Sequence, residues 1–128
     1  MRIGLVACAS QKRIEPAWAR DLYVSPLFKK ASAYCEATYD RWAILSAKYG
    51  LVWPYQVIEP YDLTLNDMPR AERLVWAREV AAALPTGNVT FFLHAGRRYA
   101  EFLEWRAEWP VRGLGIGQQL AWYKAKGF

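Results

Sequence analysis

Two carboxylates, Glu59 and Asp62, flank Pro60-Tyr61. They lie in a stretch of the chain whose apolar residues lack the regular spacing of a helix or a strand. A carboxylate close to a glycosidic carbon can activate water or stabilise the oxocarbenium charge that develops there. An Asx hydrogen bond that orders the loop is an equally good interpretation of Asp62. We therefore predict Asp62 and Glu59 as acid–base residues and add Lys48 to the predicted catalytic group.

Four cations, Lys12, Lys48, Arg97 and Arg98, occur in short polar segments and could together clamp an anionic ligand. Each of them taken alone is typical of a solvated surface charge. Tyr49 and Tyr61 lie in the same parts of the chain, and an aromatic ring offers a platform on which a base can stack. Asp21, which precedes Leu22-Tyr23, either holds a turn or pairs with an arginine.

Cys8 and His94 each allow a chemical and a structural interpretation. Small residues and Lys12 surround Cys8, and cations favour a reactive thiolate, but a buried thiol at the end of a strand is the commoner case. His94 is the only histidine, and no Ser–His–Asp arrangement can be built around it. We predict a structural role for His94.

A glycine-rich segment, Gly113-Leu114-Gly115-Ile116-Gly117-Gln118-Gln119, precedes the last predicted helix. Its backbone N–H groups suit a phosphate or a carboxylate, and close packing of a turn against a helix explains the glycines equally well. No Gly-Lys-Ser/Thr follows, so the segment is not a P-loop, and its place near the end of the chain is wrong for a dinucleotide fingerprint.

Apolar runs before these segments predict the strands that position them. The strands are Arg2 to Ala7, Trp42 to Leu45, Val89 to Leu93 and a short fourth one at Val111. Parallel strands point the same way, so four polar segments should meet at the carboxyl edge of the sheet, where open α/β sheets bind ligands. These segments are 8–12, 46–50, 94–99 and 113–119.

Helical spacing predicts a helix from Ser25 and Pro26, a second that opens at Asn66 or Asp67 with Pro69 and ends before Pro85, a short one over 97–106, and a last one to about Lys126. Residues 51–67 are predicted to be a long loop. The alternation predicts an α/β fold, as one three-layer, Rossmann-like domain over residues 1–128 with a mostly parallel sheet of about four strands.

The bulk properties set broad limits on function. The chain has 128 residues, is 54% hydrophobic and carries a net charge of +5, which suits a partner that bears phosphate. Two cysteines without a CxxC spacing and one histidine do not favour zinc, and we predict neither metal nor cofactor. No apolar run approaches the ~20 residues that span a bilayer, and the free thiols and missing signal peptide predict a cytoplasmic protein with no membrane partner.

Nearly the whole chain resembles a small bacterial domain of unknown function. The resemblance rests on Cys8-Ala9-Ser10-Gln11-Lys12, Asp21-Leu22-Tyr23-Val24-Ser25-Pro26-Leu27-Phe28, the ILSAKYGLV and IEPYDLTL blocks at 44–52 and 58–65, and Gly115-Ile116-Gly117-Gln118-Gln119. The central block is also similar to one in the YaaA family of peroxide-stress proteins and to a domain of archaeosine synthase. These relatives imply DNA binding and nucleobase handling respectively.

The residues and the resemblance together predict a ligand site. Its binding residues are Cys8, Ser10, Lys12, Asp21, Tyr23, Ser46, Tyr49, Gly50, Tyr61, Arg97, Gly115, Gly117 and Gln118. We expect a protein that recognises a nucleotide or a nucleobase, as an enzyme acting on an N-glycosidic bond. The alternative is a non-catalytic module that binds DNA or RNA, and the oligomeric state is left open.

Overall fold

The computed structural model describes residues 1–128 and contains seven strands and five α-helices. The strands are β1 (Arg2–Ala7), β2 (Ala17–Trp18), β3 (Arg41–Ser46), β4 (Gly50–Val52), β5 (Val57–Ile58), β6 (Thr90–His94) and β7 (Ala107–Glu108). The helices are α1 (Ala19–Leu22), α2 (Pro26–Thr38), α3 (Arg70–Ala83), α4 (Arg97–Ala100) and α5 (Ile116–Ala125). Short 3₁₀ turns cover Leu65–Asp67 and Glu104–Arg106.

The central sheet has five strands in the order β4-β3-β1-β6-β7. Strands β3, β1, β6 and β7 are parallel, while β4 returns antiparallel to β3. The small strands β2 and β5 form a separate antiparallel pair. The α/β class and the mostly parallel sheet are therefore confirmed.

Both faces of the sheet are buried, which explains why its strands read as continuous apolar runs. Ile3 and Leu5 lie in one core cluster with Trp76 and Val80 of α3. Val6 lies in a second cluster with Phe28 of α2 and Tyr123 of α5, among others. Helices thus cover both faces, in agreement with the predicted layers.

Helix ends follow their sequence signals. The Ser25 hydroxyl caps α2 by accepting the Phe28 N–H at 3.2 Å, and Pro26 takes the first helical position. Helix α3 begins directly after Pro69, and the predicted start at Asn66 or Asp67 is wrong, because these two residues belong to a 3₁₀ turn. None of the helices combines the length and the apolar composition that crossing a membrane requires.

Three further details of the sequence prediction are wrong. The fourth parallel strand is β7, while Val111 is buried in the turn that follows it. The segment 51–67 is not all loop, because β4 and β5 lie within it. The helix expected over 97–106 is broken into α4 and a 3₁₀ turn, with Leu103 between them.

Candidate functional site

The chain reverses its winding direction between β1 and β6, which are neighbours in the sheet. From β1 the chain passes through α2 to β3 on one side, and from β6 it passes through α4 to β7 on the other. Such a switch leaves a crevice outside the carboxyl ends of the two strands, the usual ligand position in open α/β sheets.

Two adjoining cavities occupy this crevice, with volumes of about 280 and 390 Å³. We call them the Arg97 cavity and the Asp62 cavity, after the charged residues that distinguish them. Residues that line both are Cys8, Ala9, Ser25, Leu27, Asn66, Tyr99 and Ile116. Small-molecule sites typically measure ~300–1,000 Å³, so the joined cavities are large enough for a ligand with two linked parts.

The Arg97 cavity is bordered by two adjacent cations at the start of α4. The Arg97 side chain is 83% exposed, and its Nε lies 3.5 Å from the Glu101 carboxylate. Arg98 forms no ion pair within the protein and is exposed. This end of the crevice can therefore hold an anionic group.

The Asp62 cavity contains a carboxylate and an ammonium group. Asp62 is exposed and has no cationic partner. The Lys12 Nζ lies 3.4 Å from the Ser10 carbonyl oxygen and 4.4 Å from the centre of the Tyr61 ring. The cavity can thus present a free carboxylate and a positioned cation to the same ligand.

Tyr99 stands where the two cavities meet. Its hydroxyl accepts the Leu65 N–H at 3.3 Å and lies 3.4 Å from both the Cys8 Sγ and the Thr64 Oγ1. The pKa of this phenol lies well above its usual value. Burial is the largest cause, and the neighbouring Cys8 is the second. The protonated phenol therefore ties the loop that carries Asp62 to the end of β1.

A second series of hydrogen-bonded hydroxyl groups, which we call the hydroxyl chain, holds the same loop. The Ser46 Oγ accepts the Tyr49 N–H at 3.0 Å and donates to the Tyr61 hydroxyl at 2.8 Å, which lies 2.7 Å from the Tyr23 hydroxyl. Burial raises the pKa of Tyr23 to about 12 and that of Tyr61 further still. Because both phenols keep their protons, the chain anchors the segment just before Asp62.

Of the predicted site residues, the structure gathers Cys8, Ser10, Lys12, Asp62 and Arg97 in the crevice. The predicted glycine segment lies close by, since Gly115, Gly117 and Gln118 flank Ile116, which lines both cavities. The Gln118 Oε1 accepts the Gly115 N–H at 2.9 Å, so this amide is occupied in holding the start of α5.

The remaining predicted residues do not line the crevice. Tyr23, Ser46 and Tyr61 support it as the hydroxyl chain described above. Four further predicted residues line neither cavity: Lys48, Tyr49, Gly50 and Glu59. Tyr49 donates its backbone N–H to Ser46 and its hydroxyl to the Glu59 carbonyl oxygen, while Gly50 opens β4 with φ of +72°. Asp21 is on α1, with its carboxylate 3.9 Å from the Arg20 Nε.

Sequence reasoning missed Tyr99 and Asn66 as crevice residues. Tyr99 belongs to the predicted polar segment 94–99, and its place in the first turn of α4, shortly after β6, was the available signal. Asn66 was predicted only as the start of a helix. Nothing in the local sequence pattern shows that the 3₁₀ turn Leu65–Asp67 brings Asn66 into the same cavities as Cys8.

His94 lies between two tyrosines, at the inner wall of the Arg97 cavity. The Tyr39 hydroxyl is 2.7 Å from its Nε2, and the Tyr123 hydroxyl is 2.8 Å from its Nδ1. Its exposure is 2%, and burial lowers its pKa to about 4. Both ring nitrogens are occupied, which favours the predicted structural role.

Comparison with known proteins identifies one family. The model of a family of unknown function, DUF6884, matches residues 3–125 and thus nearly the whole chain. The predicted resemblance to a small domain of unknown function agrees with this match.

One curated relative is similar over part of its length. "Uncharacterized protein YfjM" of Bacillus subtilis (strain 168) is 31% identical over 72 residues, which cover 51% of this chain and 48% of that protein. The chain thus matches about half the length of this relative. No solved structure matches the chain, so the Rossmann-like class and the resemblance to YaaA and archaeosine synthase stay predictions.

Proposed function

Because the chain belongs to DUF6884, a family whose description assigns no activity, we propose a function from the crevice: the protein binds a nucleotide or nucleobase and cleaves an N-glycosidic bond. The observation that carries this proposal is the joined pair of cavities, with Arg97 and Arg98 at one end and the unpaired Asp62 at the other.

The cations set the orientation of the ligand. A phosphate group placed against Arg97 and Arg98 gains charge-assisted hydrogen bonds from guanidinium groups. The sugar then extends past Tyr99 into the Asp62 cavity. Lys12, fixed above the Tyr61 ring, offers a second positive charge there.

Apolar side chains offer surfaces for the base. Ile116 is 70% exposed and lines both cavities, and Leu63 is 40% exposed in the Asp62 cavity. Leu27 faces both cavities from α2. These three replace Tyr49 and Tyr61 as surfaces against which the flat face of a base would pack.

Asp62 supplies the chemistry in this proposal. Its carboxylate accepts a proton from water as the water oxygen bonds to C1′ and the C1′–N bond breaks. The departing base takes up one proton from solvent, and Asp62 returns its proton to solvent. The products are therefore the free base and the sugar with a new hydroxyl at C1′. A base that lies within a nucleic acid would first have to be flipped out of its stack.

Calorimetric titration with nucleoside monophosphates, nucleosides and free bases tests the binding step. We expect nucleotides to bind more tightly than the matching nucleosides, and Arg97→Gln with Arg98→Gln to remove that difference. Arg112→Gln is the matched control, because Arg112 is an exposed arginine outside the crevice. Binding of none of these ligands would refute the proposal.

Chromatographic detection of the released base tests the chemical step. Asp62→Asn should abolish release and keep binding, whereas Asp67→Asn, an exposed carboxylate that lines neither cavity, should keep both. The alternative, a non-catalytic module for DNA or RNA, predicts no release, affinity that falls steeply with salt, and no effect of Asp62→Asn.

A further inference from the structure

A third cavity, of about 420 Å³, opens at the opposite edge of the sheet. It is lined by Arg41, Trp42, Trp53, Pro54, Tyr55 and Gln56. Arg41 begins β3 while Ser46 ends it, so this cavity lies about 17 Å along the strand from the edge that carries the crevice. It shares no lining residue with the crevice.

Three aromatic residues lie there, which we call the aromatic shelf (Trp18, Trp53 and Tyr55). Trp53 and Tyr55 line the cavity, and Trp18 contacts Tyr55. Tyr55 is 61% exposed and Trp18 is 49% exposed, and their rings meet edge to face with centres 5.0 Å apart. The Arg41 guanidinium lies 4.0 Å from the centre of the Trp53 ring. Adjoining exposed apolar side chains of this kind mark interaction sites, whereas single ones do not.

The side chains around the cavity offer hydrogen-bond donors. The Gln56 Oε1 accepts the Trp53 backbone N–H at 2.6 Å, which leaves the Gln56 amide hydrogens free. The Tyr55 hydroxyl accepts from the Arg20 Nη1 at 2.7 Å and keeps its own proton to donate. Arg41 forms no ion pair. A fitting ligand must therefore bring acceptors.

The charges beside the shelf are mostly paired. Arg20 is bound to Glu36 at 2.9 Å and lies 3.9 Å from Asp21. Arg41 is the one charged residue that lines the cavity, and Asp40 precedes it in the chain. A polyanion gains little from such a surface, since its affinity depends on net positive charge. A neutral ligand fits better.

We propose that the aromatic shelf binds a proline-rich segment of a partner protein in the polyproline II conformation. Proline rings pack on Trp53 and Tyr55, and the peptide carbonyls accept hydrogen bonds from Gln56 and Arg41. Proline has no backbone N–H, so such a segment brings acceptors without adding donors that would need a partner. Aromatic-lined grooves recognise the preformed polyproline II helix in this way.

Fluorescence anisotropy with a labelled polyproline peptide of about ten residues tests this proposal on the full chain. We expect binding that Trp53→Ala weakens at least fivefold and that barely changes with salt. Trp105→Ala is the matched control: Trp105 is 72% exposed and has the Arg106 guanidinium 5.5 Å from its ring, but it lines none of these three cavities. Thermal unfolding confirms that both variants fold.

Three outcomes would overturn the proposal. They are no binding of the peptide to the native chain, an equal loss in Trp105→Ala, and preferential binding of a single-stranded oligothymidylate that Trp53→Ala abolishes. The last would assign the shelf to nucleic acid. None of them bears on the crevice, because nucleotide binding there is measured with a different ligand.

Discussion

A neutral imidazole carries one N–H and one acceptor nitrogen, so one of the two tyrosines at His94 donates to the ring while the other accepts from it. Protonation of His94 would turn the acceptor nitrogen into a second donor and break this pattern inside the core. The low pKa of His94, about 4, therefore makes the folded state sensitive to acid.

The free energy of unfolding should fall by about 2 kcal/mol between pH 7 and pH 5 on account of His94 alone. The unfolded chain takes up a proton near the ordinary pKa of 6.5 while the folded chain does not, so stability is present at high pH and is lost as pH falls. Urea unfolding of the native chain and of His94→Gln at both values measures this component. An identical decline in both proteins would contradict it.

Gly4 on β1 shows how closely α2 approaches the sheet. A Cβ at this position would lie 2.7 Å from the Tyr39 ring and 2.8 Å from the Cys35 Sγ, both of which are buried. We expect Gly4→Ala to cost about 1–3 kcal/mol of stability, as other overpacking substitutions do. Gly117→Ala on α5 meets nothing within 4 Å and should leave stability unchanged or raise it, as urea unfolding would show.

At the scale of elements, a buried ion pair joins α3 to Glu101, the residue directly after α4. The Arg73 Nε lies 3.1 Å from the Glu101 Oε1, and its Nη1 donates to the Met68 carbonyl at 2.6 Å. Arg73 is 7% exposed. This pair sets the position of the helix that carries Arg97 relative to the loop that carries Asp62.

Glu101→Ala should destabilise the protein by about 3 kcal/mol, because it leaves the Arg73 charge buried without a partner of opposite charge. Glu104→Ala should change stability by less than ~0.5 kcal/mol, since Glu104 pairs at 3.8 Å with Arg112, whose side chain is 70% exposed. Denaturant unfolding of the two variants compares them directly. Equal losses would show that burial of the first pair has no energetic consequence.

The sequence predicts elements well where one physical signal dominates. Strands β1, β3 and β6 are buried on both faces and stand out as apolar runs, and Ser25-Pro26 marks the start of α2. Strands β4, β5 and β7 have two or three residues, too few to show a period, and β5 and β7 pair with strands distant in sequence.

The candidate site could be predicted as far as strand direction determines it. Strand direction alone places Cys8, Lys12 and Arg97 at one edge of the sheet. It cannot show that Tyr99 bonds to Leu65, or that Lys48 and Glu59 line neither cavity, because these positions depend on hydrogen bonds between residues distant in sequence.

At the scale of the whole molecule, the crevice and the aromatic shelf lie at opposite edges of one sheet and share no side chain. Their ligands should therefore bind independently, as distant sites without shared partners do. Saturating nucleotide should leave the affinity for the polyproline peptide unchanged within about twofold, and Trp53→Ala should leave nucleotide affinity unchanged. Anisotropy titrations with and without nucleotide measure this.

The sheet ends in β4, with three residues, on one side and in β7, with two, on the other. Neither outer strand offers the long row of free N–H and C=O groups on which a second sheet could grow. If β4 or β7 were longer, a sheet with such apolar central strands would aggregate readily by strand pairing at that edge. The brevity of its two outermost strands thus protects the folded chain against intermolecular strand addition.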